Sequence, residues 1–250
     1  MRSVSQLRVQ IFADGADKAS MLELSRQPYI KGFTTNPTLM RNAGVKDYER
    51  FAREVLEHIT DRPISFEVFA DDETEMERQA HKIAEWARNV YVKIPVTNTR
   101  GEPMDRLIRR LSLDGIQVNA TALLALEQVR HIAKALRGGA PSYVSVFAGR
   151  VADTGRDPVP LMRAALDMLA PTTQLVWASP RELLNIIQAD EIGCHIITVT
   201  SDVLKKIDLI GKDLLEFSLE TVRMFHDDAA RSGYKLELAS EERPVESTRR

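Results

Sequence analysis

A single cysteine in 250 residues rules out an internal disulfide, so a packed core must hold this chain together. That cysteine, Cys194, lies in the apolar run EIGCHIITV and reads as a buried, inert thiol rather than a nucleophile. No stretch approaches the roughly 18 apolar residues that a membrane span needs. The amino-terminal MRSVSQLRVQIFAD turns polar too early for a secretory leader, so a cytoplasmic protein with no membrane partner is expected. Charge of neither sign dominates: 34 Lys and Arg against 36 Asp and Glu leave a net −2, with no basic footprint for nucleic acid. The five histidines (His58, His81, His131, His195, His226) are scattered without ligand spacing, and no metal site is expected. Neither a Walker loop nor a glycine-rich dinucleotide fingerprint is present, so any chemistry is expected to come from side chains alone, with no cofactor.

What is present is a strict alternation of short β-rich runs with amphipathic stretches. The candidate strands are Leu7–Ala13, Tyr29–Thr34, Ile64–Ala70, Val90–Pro95, Gly115–Asn119, Ser142–Phe147, Gln174–Ala178 and His195–Val199. Helical stretches between them include Tyr48–Ile59, Glu73–Arg88, Thr121–Leu136, Pro158–Leu169 and Arg181–Ala189. In Glu73–Arg88 the apolar residues Met76, Ala80, Ile83, Ala84 and Ala87 recur at helical spacing. Turn signals at Asp61-Arg62-Pro63, Gly138-Gly139, Ala170-Pro171 and Ile192-Gly193 punctuate the pattern.

Strand-then-helix order implies a parallel sheet, because parallel neighbours need a crossover. Eight such units predict an α/β fold of the closed (β/α)8 barrel type. Polar residues at alternate strand positions (Ser65 and Glu67, Tyr91 and Lys93, and Ser145 ahead of Phe147) favour closure over an open sheet, whose strands would be apolar on both faces. Residues 1–235 are expected to form the barrel domain with an added C-terminal helix, and residues 236–250 a charged tail without fixed structure.

Lys93 is the most unusual residue, since lysine is rarely found inside an apolar strand such as VYVKIP. At a sheet edge, or with its stem reaching solvent, it would be structural. Desolvated, its amine can attack a carbonyl and form an imine. A closed barrel has no edge, which weakens the structural reading. Two carboxylates lie where they can shuttle protons for such chemistry. Glu67 occupies an interior-facing position on the preceding strand, and Asp14 ends the first strand, where it could equally cap a helix over Gly15–Leu24. Asn36 in GFTTNPT and Asn119 and Thr121 in VNAT sit at strand ends, where they read equally as turn or cap residues. Arg150 and Arg181, just beyond the sixth and seventh strands, are either surface charges or a pair able to grip a phosphate.

Seven segments, in order, resemble the transaldolase family: GFTTNPT (32–38), SFEVFA (65–70), VYVKIPVT (90–97), VNATALLALEQ (118–128), SVFAGRVADTGRDP (145–158), WASPREL (177–183) and GCHIITVTSDVLKKI (193–207). The resemblance runs from about residue 9 to residue 209. It implies a barrel whose imine-forming lysine is on the fourth strand, here Lys93. It also implies that Asp14 is an acid/base near the imine and that Glu67 acts through a water held with Thr121. Asn36 and Asn119 would hydrogen-bond donor hydroxyls, Ser145 would contact the covalent fragment, and Arg150, Ser179 and Arg181 would bind substrate phosphate. Phosphorylated sugars are the implied partners.

The chain departs from the family pattern at Val146, where proline is common, and at Pro180, where an aromatic is usual. Within that resemblance, two residues bear on whether a dihydroxyacetone unit is transferred or released. Glu67 stands where the fructose-6-phosphate aldolases have glutamine, and Phe147 where they have tyrosine. Both favour transfer. The rivals are an aldolase on the same scaffold and a noncatalytic sugar-phosphate-binding barrel. Beyond the barrel, Leu215, Leu219, Val222 and Ala229 recur at helical spacing in Lys212–Ala230. That stripe suits either the chain's own barrel mouth or a neighbouring subunit, and a homo-oligomer is expected.

Overall fold

Eight strands, none longer than six residues, find partners only by closing on one another: β1 (Gln10–Asp14), β2 (Ile30–Thr34), β3 (Ile64–Glu67), β4 (Val90–Pro95), β5 (Val118–Leu123), β6 (Ser142–Val146), β7 (Thr173–Trp177) and β8 (Ile196–Thr200). In this computed structural model, which describes residues 4–236, each strand pairs in parallel with the next and β8 pairs with β1, closing the predicted barrel. Helices alternate with the strands: α1 (Lys18–Leu24), α2 (Pro37–Asn42), α3 (Tyr48–Leu56), α4 (Glu73–Ala84), α5 (Asp105–Leu113), α6 (Leu126–Ala135), α7 (Ala148–Ala152), α8 (Val159–Leu166), α9 (Leu184–Glu191) and α10 (Ser201–Leu204).

The period-2 alternation of the strands separates two cores. Outward positions such as Phe33, Phe66, Val92, Val144 and Trp177 pack with apolar helix faces, among them Met76, Ala80 and Ile83 of α4. Inward positions form a smaller cluster of Phe12, Tyr91, Tyr143, Val176 and Ile196. Tyr91 and Tyr143 stack with centroids 3.8 Å apart, and Phe12 meets Tyr143 edge-on at 5.9 Å. Gly32 is required beside them, because a Cβ there would lie 2.6 Å from the Phe12 ring. Two residues further along the strands, the inward positions turn polar: Asp14, Thr34, Glu67, Lys93, Ser145 and Thr198.

Most boundaries move by a residue or more from those read in the sequence; β3, for one, ends at Glu67 rather than Ala70, and others have an evident cause. β1 begins at Gln10 rather than Leu7, because the buried Asp190 carboxylate accepts the amides of Arg8 (2.6 Å) and Val9 (3.1 Å). The fifth strand begins at Val118 rather than Gly115, whose φ of +87° belongs to a turn. It then continues through Thr121, whose carbonyl accepts the Val96 amide at 2.9 Å. The Gln128 side chain accepts the Leu124 and Ala125 amides and sets the start of α6 at Leu126, so Thr121 is a strand residue and not a helix cap. The cap of α1 is Asp17, which accepts the Ser20 amide, leaving Asp14 on its strand.

Cys194 is buried against the carbonyls of Leu175 and Ile196, and burial pushes its thiol up to about 12. Contacts divide the chain into two units, one ending at Ile210 and the other beginning at Gly211. There α11 (Leu214–Ser232) opens on Asp213, which accepts the Leu215 and Glu216 amides, and ends at a left-handed Gly233. Apart from Leu236, the expected charged tail lies outside the described residues. No helix among the described residues is long and apolar enough to cross a membrane.

Asp190 carries a specific stability cost. Hydrogen bonds to a charged partner contribute roughly 1.5–3 kcal/mol each, so Asp190→Ala, which removes two, should lower unfolding stability by about 3–6 kcal/mol in urea titrations. A loss under about 0.5 kcal/mol, the size of an ordinary surface change, would mean the amino-terminal arm is held by other contacts.

Candidate active site

Carbonyl ends of the strands surround a cavity of about 600 Å³, as expected for a barrel of this type. Of the eleven residues singled out from the sequence, ten line it: Asp14, Asn36, Glu67, Lys93, Thr121, Ser145, Phe147, Arg150, Ser179 and Arg181. The eleventh, Asn119, is sealed beneath. It is fully buried, donates to Ser65 Oγ (3.0 Å) and accepts from Ser145 Oγ (2.7 Å), so it meets the cavity only through Ser145.

Lys93 is 6% exposed, which disposes of the edge and solvent-reaching readings. Its Nζ donates to the Thr35 carbonyl at 2.8 Å and lies 3.1 Å from Glu67 Oε2. The register explains the second contact: Glu67 on β3 is directly opposite Lys93 on β4, with both side chains inward. Asp14 approaches from β1, accepting a 2.7 Å hydrogen bond from Thr34 Oγ1, which also bonds Thr198 Oγ1. Burial raises the Asp14 carboxyl above its ordinary value, and nearby Glu67 adds to this. The Lys93 charge and the Thr34 hydrogen bond oppose the rise without cancelling it. Thr121 Oγ1 is buried with no hydrogen-bond partner among the described residues. A buried amine beside Glu67, in a cavity that Asp14 also lines, can add to a carbonyl while the carboxyls move protons.

The rim is cationic. The Arg150 guanidinium lies 5.6 Å from the Phe147 ring centroid. Arg181 forks onto Asp153, with Nε to Oδ1 at 2.9 Å, and also donates to Ser179 Oγ at 3.0 Å. Hydrogen bonding to Arg181 holds the Asp153 carboxyl below the usual range, with Arg150 adding a smaller pull. Two non-glycine residues on the wall, Ala122 (φ 64°) and Ser179 (φ 60°), adopt the left-handed conformation. Gly149 is needed beside the latter, since a Cβ there would come within 1.5 Å of the Ser179 carbonyl oxygen.

Thr34, Thr198, Ala122 and Asp153 were not singled out from the sequence. Period-2 position could have flagged both threonines, whereas the strained Ala122 and the Asp153 fork leave no sequence signal. Among the described residues no group of three or more His, Cys, Asp or Glu is placed to hold a metal ion.

Comparison with known proteins agrees with this geometry. The family profile described as Transaldolase/Fructose-6-phosphate aldolase matches residues 11–243. A protein of Dehalococcoides mccartyi described as "Probable transaldolase" is 34% identical over 202 residues, covering 80% of this chain and 90% of its own length. One from Thermoanaerobacter sp. (strain X514), under the same description, is 31% identical over 231 residues, covering 91% of this chain and all of its own. Among solved structures, the tryptophan synthase A-subunit of Pyrococcus furiosus superposes with a TM-score of 0.55 at 15% identity, covering 84% of this chain and 94% of that one. At that identity the likeness speaks for the barrel alone.

The raised carboxyl of Asp14 has a sign that can be checked. A folded-state value above the unfolded one means that ionised Asp14 destabilises the fold at neutral pH, a penalty removed as pH falls through the folded-state value. Asp14→Asn should therefore unfold at higher urea than wild type at pH 7, and the gain should shrink as pH is lowered toward 4. Equal midpoints at pH 7 would show that the carboxylate is not strained there.

Proposed function

Because the chain belongs to the transaldolase/fructose-6-phosphate aldolase family, we propose that it is a transaldolase that moves a dihydroxyacetone unit from a ketose phosphate to an aldose phosphate through a Schiff base on Lys93. The observation that carries this reading is the Lys93 amine, buried on the fourth strand and held 3.1 Å from Glu67 within a cavity that Asp14 also lines.

In this mechanism the neutral amine adds to the ketose carbonyl, and the carbinolamine loses water as Glu67, acting through a water held with Thr121, passes a proton to the departing hydroxyl. Asp14 then removes the proton of the hydroxyl on the carbon to be released. The carbon–carbon bond breaks, its electron pair flows into the imine to form an enamine, and the aldose phosphate departs. A second aldose accepts the enamine carbon, Asp14 returns its proton to the new alkoxide, and water hydrolyses the imine. Asn36 and Ser145 would hold the hydroxyls of the three-carbon unit, with Asn119 orienting Ser145. Arg150, Ser179 and Arg181 would hold the phosphate, for which Arg181 must turn from Asp153.

Borohydride added in the presence of fructose 6-phosphate should fix a three-carbon adduct on the peptide containing Lys93. An adduct on Lys18 or Lys134 instead would sink the assignment.

Transfer is favoured over release because Phe147, on the cavity wall, offers no hydroxyl to organise a hydrolytic water. With fructose 6-phosphate alone, little free dihydroxyacetone should form, and erythrose 4-phosphate should then yield a seven-carbon ketose phosphate. Phe147→Tyr should raise the release rate. Steady release without acceptor, unaffected by any aldose phosphate, would decide for the aldolase.

A further inference from the structure

The β2–β3 ladder stops early, and how it stops bears on both groups at the centre of the site. Phe33 donates to the Pro63 carbonyl (2.9 Å) and Thr35 to the Ser65 carbonyl (3.1 Å). The even spacing of a parallel ladder sets the next rung: the residue 37 amide would donate to the Glu67 carbonyl and the Glu67 amide to the Thr35 carbonyl. Residue 37 is proline and has no N–H to give. The Thr35 carbonyl is taken by Lys93 Nζ at 2.8 Å. Both main-chain groups of Glu67 would be orphaned inside the protein, at a cost of roughly 1–3 kcal/mol each. One side chain from outside the sheet serves both: the Tyr48 hydroxyl, on the first residue of α3, donates to the Glu67 carbonyl (2.8 Å) and accepts the Glu67 amide (2.8 Å).

We infer that Tyr48 is a positioning residue for the reaction: its hydroxyl replaces the missing rung of the ladder, fixing the main chain that carries Glu67 while leaving the Thr35 carbonyl free to hold the Lys93 amine. The inference rests on the proposed function of Lys93 and Glu67. The surroundings hold the hydroxyl in place. The Tyr48 ring packs edge-on against Phe66 (6.3 Å) and Phe69 (5.6 Å) and tilts against Trp86 (5.7 Å). Burial raises the phenol well above its ordinary value, so at neutral pH it keeps the proton it donates. Without the hydroxyl, the Glu67 amide must either share the Thr35 carbonyl with Lys93 or swing toward water. Either outcome moves the carboxylate or the amine away from the other.

Tyr48→Phe keeps the ring and removes only the hydroxyl, and Trp86→Phe disturbs the same aromatic cluster while leaving the hydroxyl in place. Misplacing a reacting group by about 1 Å can cost on the order of 100-fold in rate. Tyr48→Phe should therefore lower kcat and the rate of borohydride-trappable adduct formation by about 10–100-fold, with KM for fructose 6-phosphate within about twofold. The Glu67 amide should also exchange with deuterium at least about tenfold faster than in wild type. Trp86→Phe should keep kcat and Glu67 protection near wild type even where its urea midpoint falls as far. A Tyr48→Phe enzyme with unchanged kcat, or equal losses of kcat in both variants, would overturn the inference while wild type still forms the Lys93 adduct. Failure of wild type to form that adduct would instead remove the proposed function, and Glu67 exchange would then decide the ladder replacement by itself.

Discussion

One lysine amine buried inside a closed barrel constrains everything around it. Removing an ammonium from water costs several kcal/mol unless its protons are met by acceptors at good distance, and a barrel wall offers few, because strand carbonyls are spent on the ladders. Lys93 obtains one carbonyl, from Thr35, and one carboxylate, from Glu67. Each is available only because something nearby departs from regular sheet structure: the proline after Asn36, the end of β3 at Glu67, and the tyrosine that substitutes for a strand neighbour.

The layering of the interior follows from the same constraint. Phe12, Tyr91 and Tyr143 fill one end and exclude water from beneath the amine, while Ser65, Asn119 and Ser145 form a fully bonded polar chain at the next level. A polar network with its partners met is rigid, and one with a gap is costly. Two buried hydroxyls among the described residues have no partner, Ser112 Oγ and Thr121 Oγ1, and only the second belongs to a residue of the cavity wall. Backbone strain is placed alike. Among the described residues, both non-glycine residues in the left-handed conformation, Ala122 and Ser179, are on that wall and help set its shape through the main chain rather than through rotamers.

Much of this was legible in the sequence because strand periodicity is local. Alternation of Ser65 with Glu67 and of Tyr91 with Lys93 already placed carboxylate and amine on one face, and strand order placed them side by side. The motifs then collected ten of the eleven named residues around one cavity. What escaped was set by partners distant in sequence. Asp14 could not be divided between a catalytic role and a helix cap without knowing that β1 runs to Asp14 and that Asp17 caps α1. The extent of β5 depends on the Val96 amide reaching Thr121, and the burial of Asn119 depends on serines from β3 and β6. Tyr48 reads as an ordinary amphipathic-helix residue until the missing proline donor is set against the Glu67 carbonyl.

The aromatic floor has a consequence in time as well as in space. With Phe12, Tyr91, Tyr143, Val176 and Ile196 closing one end, the chamber is a cul-de-sac, and whatever enters past Arg150 and Arg181 must leave by the same door. On the proposed function, donor and acceptor would both need the amine, so the second would wait until the first had gone. Order of arrival and departure would then be a property of the barrel itself.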